Sequence, residues 1–237
     1  MERVEWVTLP VNGGQMRAFV ARPAEAGPHP GIIVFQEAFG VNAHIRDVAG
    51  RFAAAGFVAI APELFHRTAS GFEGSYADFA SVMPHFQAIT TDGMIADARA
   101  AHGWLANDAT VDVARIAAVG YCMGGRAAYL ANATLPLAAS VSYYGGGIAP
   151  ALLDRAAALH GPQLFHWGGR DRHIPPEQHR AVVDALRAAG RPFVSVEYSE
   201  ADHGFFCDQR AQYDPDAAAE SWPLTLTFLA RSSGSSR

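Results

Sequence analysis

The sequence predicts an α/β fold, a mostly parallel, doubly wound sheet with helices on both faces. Three observations carry this reading. Short, wholly apolar runs of β-branched character, such as Gly31-Ile32-Ile33-Val34-Phe35, recur and suit strands buried on both faces. Longer segments with helical spacing alternate with them, as crossover connections between parallel strands require. No repeat, linker or low-complexity stretch divides the chain, so residues 1–231 are expected to form one domain.

In chain order, the first 22 residues read as a hairpin, extended over 4–9 and 17–22 around a turn at Asn12-Gly13-Gly14. Residues 31–35 are the first buried strand. A helix is expected over 42–55, with Gly56 as its C-cap. A second buried strand, 57–61, is stopped by Pro62. Residues 63–90 are less regular and carry Phe65, Phe72, Tyr76, Phe79, Met83 and Phe86. Then follow helix 92–107, strand 116–119, helix 126–133, strands 138–143 and 163–167, helix 176–189 and strand 193–198. A last helix is expected over 217–229, and residues 232–237 read as a flexible tail.

Composition excludes several function classes. Half of the 237 residues are hydrophobic and 17% are charged, so a sizeable core is available and global disorder is not expected. The net charge is −5, there is no lysine, and the arginines are scattered, which argues against a nucleic-acid surface. The first ten residues lack a secretory signal pattern, and no apolar run approaches the roughly 20 residues of a membrane span. Two cysteines cannot make a disulfide scaffold, so a reducing, cytoplasmic setting is expected. His160, His166, His173 and His179 show no metal-ligand spacing, so they read as surface or core histidines and no metal is expected.

The sharpest signal is Gly120-Tyr121-Cys122-Met123-Gly124-Gly125, directly after the strand that ends at Val119 and opening a helix. This is the G-x-S-x-G nucleophile elbow with cysteine in the serine position. A tight strand-to-helix turn strains the central residue and lifts its side chain at the strand's carboxyl end. The helix N-terminus then favours a thiolate. A glycine-rich turn around an ordinary buried cysteine would look the same, so the motif needs partners.

They follow in the order an α/β-hydrolase fold requires. Strand 163–167 runs into Gly168-Gly169-Arg170-Asp171, and strand 193–198 runs into Asp202-His203-Gly204-Phe205. Cys122, Asp171 and His203 thus each stand at a strand's carboxyl end. His203 is expected to take or share the thiol proton, Asp171 to orient its imidazole, and Cys122 to attack a carbonyl. The backbone N–H groups of Met123 and Ala38 are the expected oxyanion hole. Glu37, beside Gln36 after the first parallel strand, is either a surface charge or an acceptor for the resting thiol.

With Gln36-Glu37-Ala38-Phe39-Gly40, Pro62-Glu63-Leu64-Phe65 and the three motifs above, the chain resembles the dienelactone hydrolase family (carboxymethylenebutenolidase-like) from about residue 4 to 229. The resemblance implies that Glu37 activates Cys122. It also implies hydrolysis of an unsaturated lactone through an acyl-enzyme, without metal or cofactor. The pattern departs from the family where two arginines hold the substrate's carboxylate. Position 207, four after His203, is Cys207, no arginine lies between Tyr76 and Gln87, and Arg210 is more distant. Within 63–90 only Arg67 and His85 offer positive charge. Phe39, Phe65, Arg67, Tyr121, Phe205 and Cys207 are therefore the expected substrate contacts.

The leading expectation is hydrolysis of a small-molecule ester or lactone by a monomer or small homo-oligomer, with no nucleic-acid or membrane partner. A short-acyl esterase or thioesterase acting on a neutral substrate is an alternative, and a non-catalytic small-molecule binder is another. Cys207 could pair with Cys122 under oxidation; the absence of C-x-x-C argues against a dedicated thiol-redox protein.

Overall fold

The computed structural model of the chain describes residues 3–12 and 14–232. Eight strands form one sheet in the order β1-β2-β4-β3-β5-β6-β7-β8. β1 (Arg3–Val11) and β2 (Gly14–Arg22) are the expected hairpin, closed in register from Arg3↔Arg22 to Val11↔Gly14. Gly13, the middle of the expected turn, lies outside the described residues. Like that hairpin, the pairing of β2 with β4 (Val58–Pro62) is antiparallel, and the remaining pairings are parallel. β3 (His29–Phe35) and β5 (Val111–Tyr121) sit side by side in the centre, with β6 (Ala139–Tyr143), β7 (Gln163–Gly168) and β8 (Phe193–Tyr198) following outward.

Helices cover both faces. α1 (Ala43–Ala54) and α6 (Pro215–Ser232) share one face, where Phe52 packs on Trp222 at 4.7 Å between ring centroids. α3 (Thr91–Ala106), α4 (Met123–Asn132) and α5 (Pro176–Ala188) cover the other. Alternation along β7 shows both sides. Phe165 and Trp167 meet Tyr129 of α4 and His179 of α5, while His166 points the opposite way toward Thr225 of α6. His166 is fully buried, its ring nitrogens facing Tyr198 Oη and Thr225 Oγ1, and burial lowers its pKa to about 3. It is a neutral core histidine.

Several boundaries differ from expectation. α2 (Phe79–Gln87) lies inside the segment that reads as irregular; it buries only Val82 and contains Pro84, so its apolar periodicity is faint. α4 starts at Met123 rather than 126, because the elbow glycines belong to its first turn. β5 begins at Val111, with an irregularity opposite Pro30/Gly31 that breaks its apolar run. A short 3-10 turn spans Leu153–Ala158, and Ser232, expected in the tail, closes α6; the rest of that tail lies outside the described residues. Among the described residues no helix is long and apolar enough to cross a membrane.

This topology positions the site. The chain winds outward from β3 on one side and from β5 on the other, so the order reverses between them and a crevice opens at their carboxyl ends. The register Phe35↔Gly120 sets the loop after β3 beside the turn after β5.

Candidate active site

Cys122 occupies the turn from β5 into α4 with φ 55° and ψ −119°, a left-handed conformation that a non-glycine residue adopts only under strain. The surrounding glycines make the turn feasible. A Cβ on Gly120 would overlap the carbonyl oxygen of Gly124, and one on Gly124 would overlap that of Phe35. Cys122 N–H donates to Tyr143 O at 3.0 Å, which anchors the elbow to β6.

The loops after β7 and β8 are tied to each other. Gly169 N–H donates to Tyr198 O at 2.8 Å and Arg170 N–H to Ala201 O at 2.9 Å. This fixes Asp171 against His203, whose Nδ1 lies 2.7 Å from Asp171 Oδ2. The other carboxylate oxygen accepts the N–H groups of His173 (2.8 Å) and Ile174 (3.2 Å), so the carboxylate cannot rotate freely. Tyr144, itself at φ 38°, sets its ring edge-on to His203 with centroids 5.2 Å apart. Burial opposes charge on His203, but the negative charge of and hydrogen bond to Cys122, together with the bond to Asp171, outweigh it and push its pKa up to about 10. The three residues named from motif order therefore meet at one point.

Cys122 and His203 open into a cleft of about 690 Å³ whose lining includes Ala38 and Met123, the expected oxyanion-hole residues. Phe39, Tyr76, Phe79 and Phe86 make one apolar wall. Arg126 and Arg210 also face it, and among its lining residues none is a carboxylate.

Glu37 is 1% exposed, and its Oε1 accepts from Arg210 Nη1 at 3.1 Å rather than from the Cys122 thiol. Burial weakens the Arg210 charge, but Glu37 outweighs it and raises the Arg210 pKa. Gln36 holds the loop in place, its side-chain oxygen accepting Leu64 N–H at 3.0 Å. Arg126, one helical turn after Cys122, has no acidic partner among the described residues. Its Nε is buried and unpaired, Nη2 reaches only Met94 Sδ at 3.7 Å, and burial lowers its pKa.

The other expected substrate contacts sit elsewhere, Phe39 excepted. Arg67 makes two bonds to Asp97, at 2.8 and 2.9 Å, and His85 packs against Phe65 and Phe72. Phe65 is buried in that aromatic group. Tyr121 is fully buried and stacked between Tyr143 and Phe206, and Phe205 is buried against Tyr143, Tyr144 and Tyr198. Cys207 is fully buried and donates to Tyr76 Oη at 3.3 Å; it and Cys122 are both free thiols. Arg126 was legible as the i+4 neighbour of Cys122. Arg210 was not, because only the fold of the loop after β8 brings it back over Gly204.

Comparison with known proteins agrees with this fold. The model of the dienelactone hydrolase family matches residues 16–233. An Escherichia coli K12 protein named "Putative carboxymethylenebutenolidase" is 35% identical, the match covering 97% of this chain and 87% of its own length. One of the same name from Synechocystis sp. is 34% identical, covering 91% and 92%. A crystal structure named "Putative Dienelactone Hydrolase" from Klebsiella pneumoniae superposes with a TM-score of 0.89 at 34% identity, covering 98% of this chain and 99% of that one.

Proposed function

The chain belongs to the dienelactone hydrolase family, and from that premise we propose that it hydrolyses a carboxylic ester or lactone bearing an anionic group, through a cysteine acyl-enzyme. The observation that carries this reading is the 2.7 Å Asp171–His203 contact beside a strained Cys122 in a cleft with two arginines and no carboxylate in its lining.

In this reading the Cys122 thiolate, paired with the His203 imidazolium, attacks the carbonyl carbon. The resulting oxyanion lies against the N–H groups of Met123 and Ala38. His203 then gives its proton to the leaving oxygen, and the tetrahedral adduct collapses to a thioester. Neutral again, His203 takes a proton from water as that water attacks the thioester, which frees the acid and regenerates the thiolate–imidazolium pair. Asp171 keeps the imidazole oriented throughout.

Arg126 supplies an unneutralised guanidinium to an anionic substrate group such as a carboxylate. Arg210 is shared. A substrate anion that draws its guanidinium weakens the hold on Glu37. The wall of Phe39, Phe79 and Phe86 suits the apolar body of the substrate, and it also supports a second reading in which neutral aryl or alkyl esters are turned over.

The test compares the purified chain with Cys122→Ala on dienelactone and on a panel of neutral esters. Turnover of dienelactone that vanishes in the variant supports the full reading. Turnover of neutral esters alone keeps the nucleophile and removes the anionic substrate. Equal rates in both proteins overturn the proposal.

A further inference from the structure

Behind the elbow, three side chains from distant parts of the chain converge. Glu37 from the loop after β3, His44 from the first turn of α1 and Cys207 from the loop after β8 each offer one donor atom, all within 4.8 Å of one another. All three are buried, at 1%, 2% and 0% exposure. Glu37 Oε2 and His44 Nε2 have no hydrogen-bond partner, an expensive condition for buried polar atoms. A ligand that satisfies both at once removes that cost.

We propose that Glu37, His44 and Cys207 form a binding site for a thiolate-seeking divalent cation of the zinc class. The donor set of carboxylate oxygen, imidazole nitrogen and sulfur is one that such ions take. Bond lengths of about 2.0 to 2.3 Å place tetrahedral ligands roughly 3.3 to 3.8 Å apart, so the cluster needs only a modest closure. Glu37 ligates through Oε2 while Oε1 keeps Arg210. His44 ligates through its buried, unpartnered Nε2.

Cys207 ligates as the thiolate, which forms as the metal arrives. Cys207–SH and M²⁺ give Cys207–S–M⁺ and a proton released to solvent, with no change of oxidation state. The sulfur then accepts from the Tyr76 hydroxyl, to which it now donates, while Asn42 Nδ2 continues to donate to the Tyr76 oxygen at 2.9 Å. His44 also borders a cleft of about 190 Å³ with Asp208 and Arg51 in its lining, which offers a path from the side away from the substrate.

Distance in sequence hides such a site from any motif of spaced ligands, since Glu37, His44 and Cys207 come from separate loops and a helix.

The full chain, freed of metal with a chelator, is titrated with Co²⁺ alone. One equivalent is expected to bind with thiolate-to-cobalt absorption, retained in Cys122→Ser and lost in Cys207→Ser and His44→Gln. Because either of the last two could unfold the protein, cobalt-edge X-ray absorption on the unaltered chain reads the site independently, with a sulfur, a nitrogen and an oxygen expected around the metal. A chain that takes up no cobalt, or a coordination sphere without sulfur, overturns the site. So does a band that survives Cys207→Ser and disappears in Cys122→Ser, which puts the metal on the nucleophile.

Discussion

Arg210 Nη1 lies 3.1 Å from Glu37 Oε1, a contact between residues 173 positions apart that ties the loop after β8 to the loop after β3. The Glu37 side chain is 1% exposed and that of Arg210 15%, so the pair is screened from water. Removing the cation strands a buried carboxylate. Arg210→Ala is therefore expected to lower unfolding free energy by about 3 to 5 kcal/mol. The double variant Arg210→Met with Glu37→Gln should recover most of that loss. Denaturant titration of the wild type, the single and the double variants decides it; equal losses in single and double would show that the pairing contributes nothing.

Arg126 makes a contrasting prediction, because it neutralises nothing. Arg126→Leu should leave stability unchanged or raise it, since an unpaired, partly buried guanidinium disappears. For a carboxylate-bearing ester, kcat/KM should fall about 10- to 100-fold, the worth of a charge-assisted contact of about 1.5 to 3 kcal/mol. For a neutral ester of the same shape it should barely move. Similar losses on both esters would remove Arg126 from anion binding.

The raised pKa of His203, about 10, has a sign that can be tested. Relative to the ordinary value of 6.5, the folded state holds this proton more tightly. The associated stability is fully present below about pH 6.5 and is lost as pH rises through about 10. The same proton serves the leaving group, so the acylation rate should hold its plateau to about pH 10 and decline above it. Burst kinetics with a chromogenic ester across this range give the answer. An alkaline limb near 6.5 would show that no thiolate–imidazolium pair exists in the resting enzyme.

His166 works in the opposite direction. Its pKa is lowered to about 3 by burial, so between 6.5 and about 3 the unfolded chain binds one proton more than the folded one. Stability then falls as pH drops through that window, with a slope of about 1.4 kcal/mol per pH unit from this residue. Replacing it, as in His166→Gln, should flatten the acid side of the stability profile by one proton's worth, read from denaturation midpoints at several pH values. An unchanged slope would mean that water reaches the ring.

Steric overlap at the elbow makes the sharpest structural prediction. Gly120→Ala puts a Cβ into the carbonyl of Gly124, where the nearest atoms are all backbone of Gly124 and Gly125 and no side chain can move aside. The variant should lose ester turnover and most of its folded yield, followed by far-ultraviolet circular dichroism. Gly103→Ala, which meets nothing within 4 Å in α3, is the control and should be neutral to mildly stabilising.

These residues also mark how far the sequence could be read. Local rules determined the buried strands, the capped helices and the Gly120–Gly125 elbow, because each depends on backbone sterics and side-chain period within a few residues. They also placed Cys122, Asp171 and His203 after the carboxyl ends of strands, since a strand's carboxyl end is itself a local feature. What only the tertiary structure decided was the pairing of charges. Arg67, expected in the cleft, went to Asp97, while Arg210, set aside as distant, closed onto Glu37. Tyr121 and Phe205, beside the motif residues in sequence, turned into the core. Direction along a loop is set by what the loop packs against, and those partners lie tens to hundreds of residues away, beyond the reach of any spacing rule.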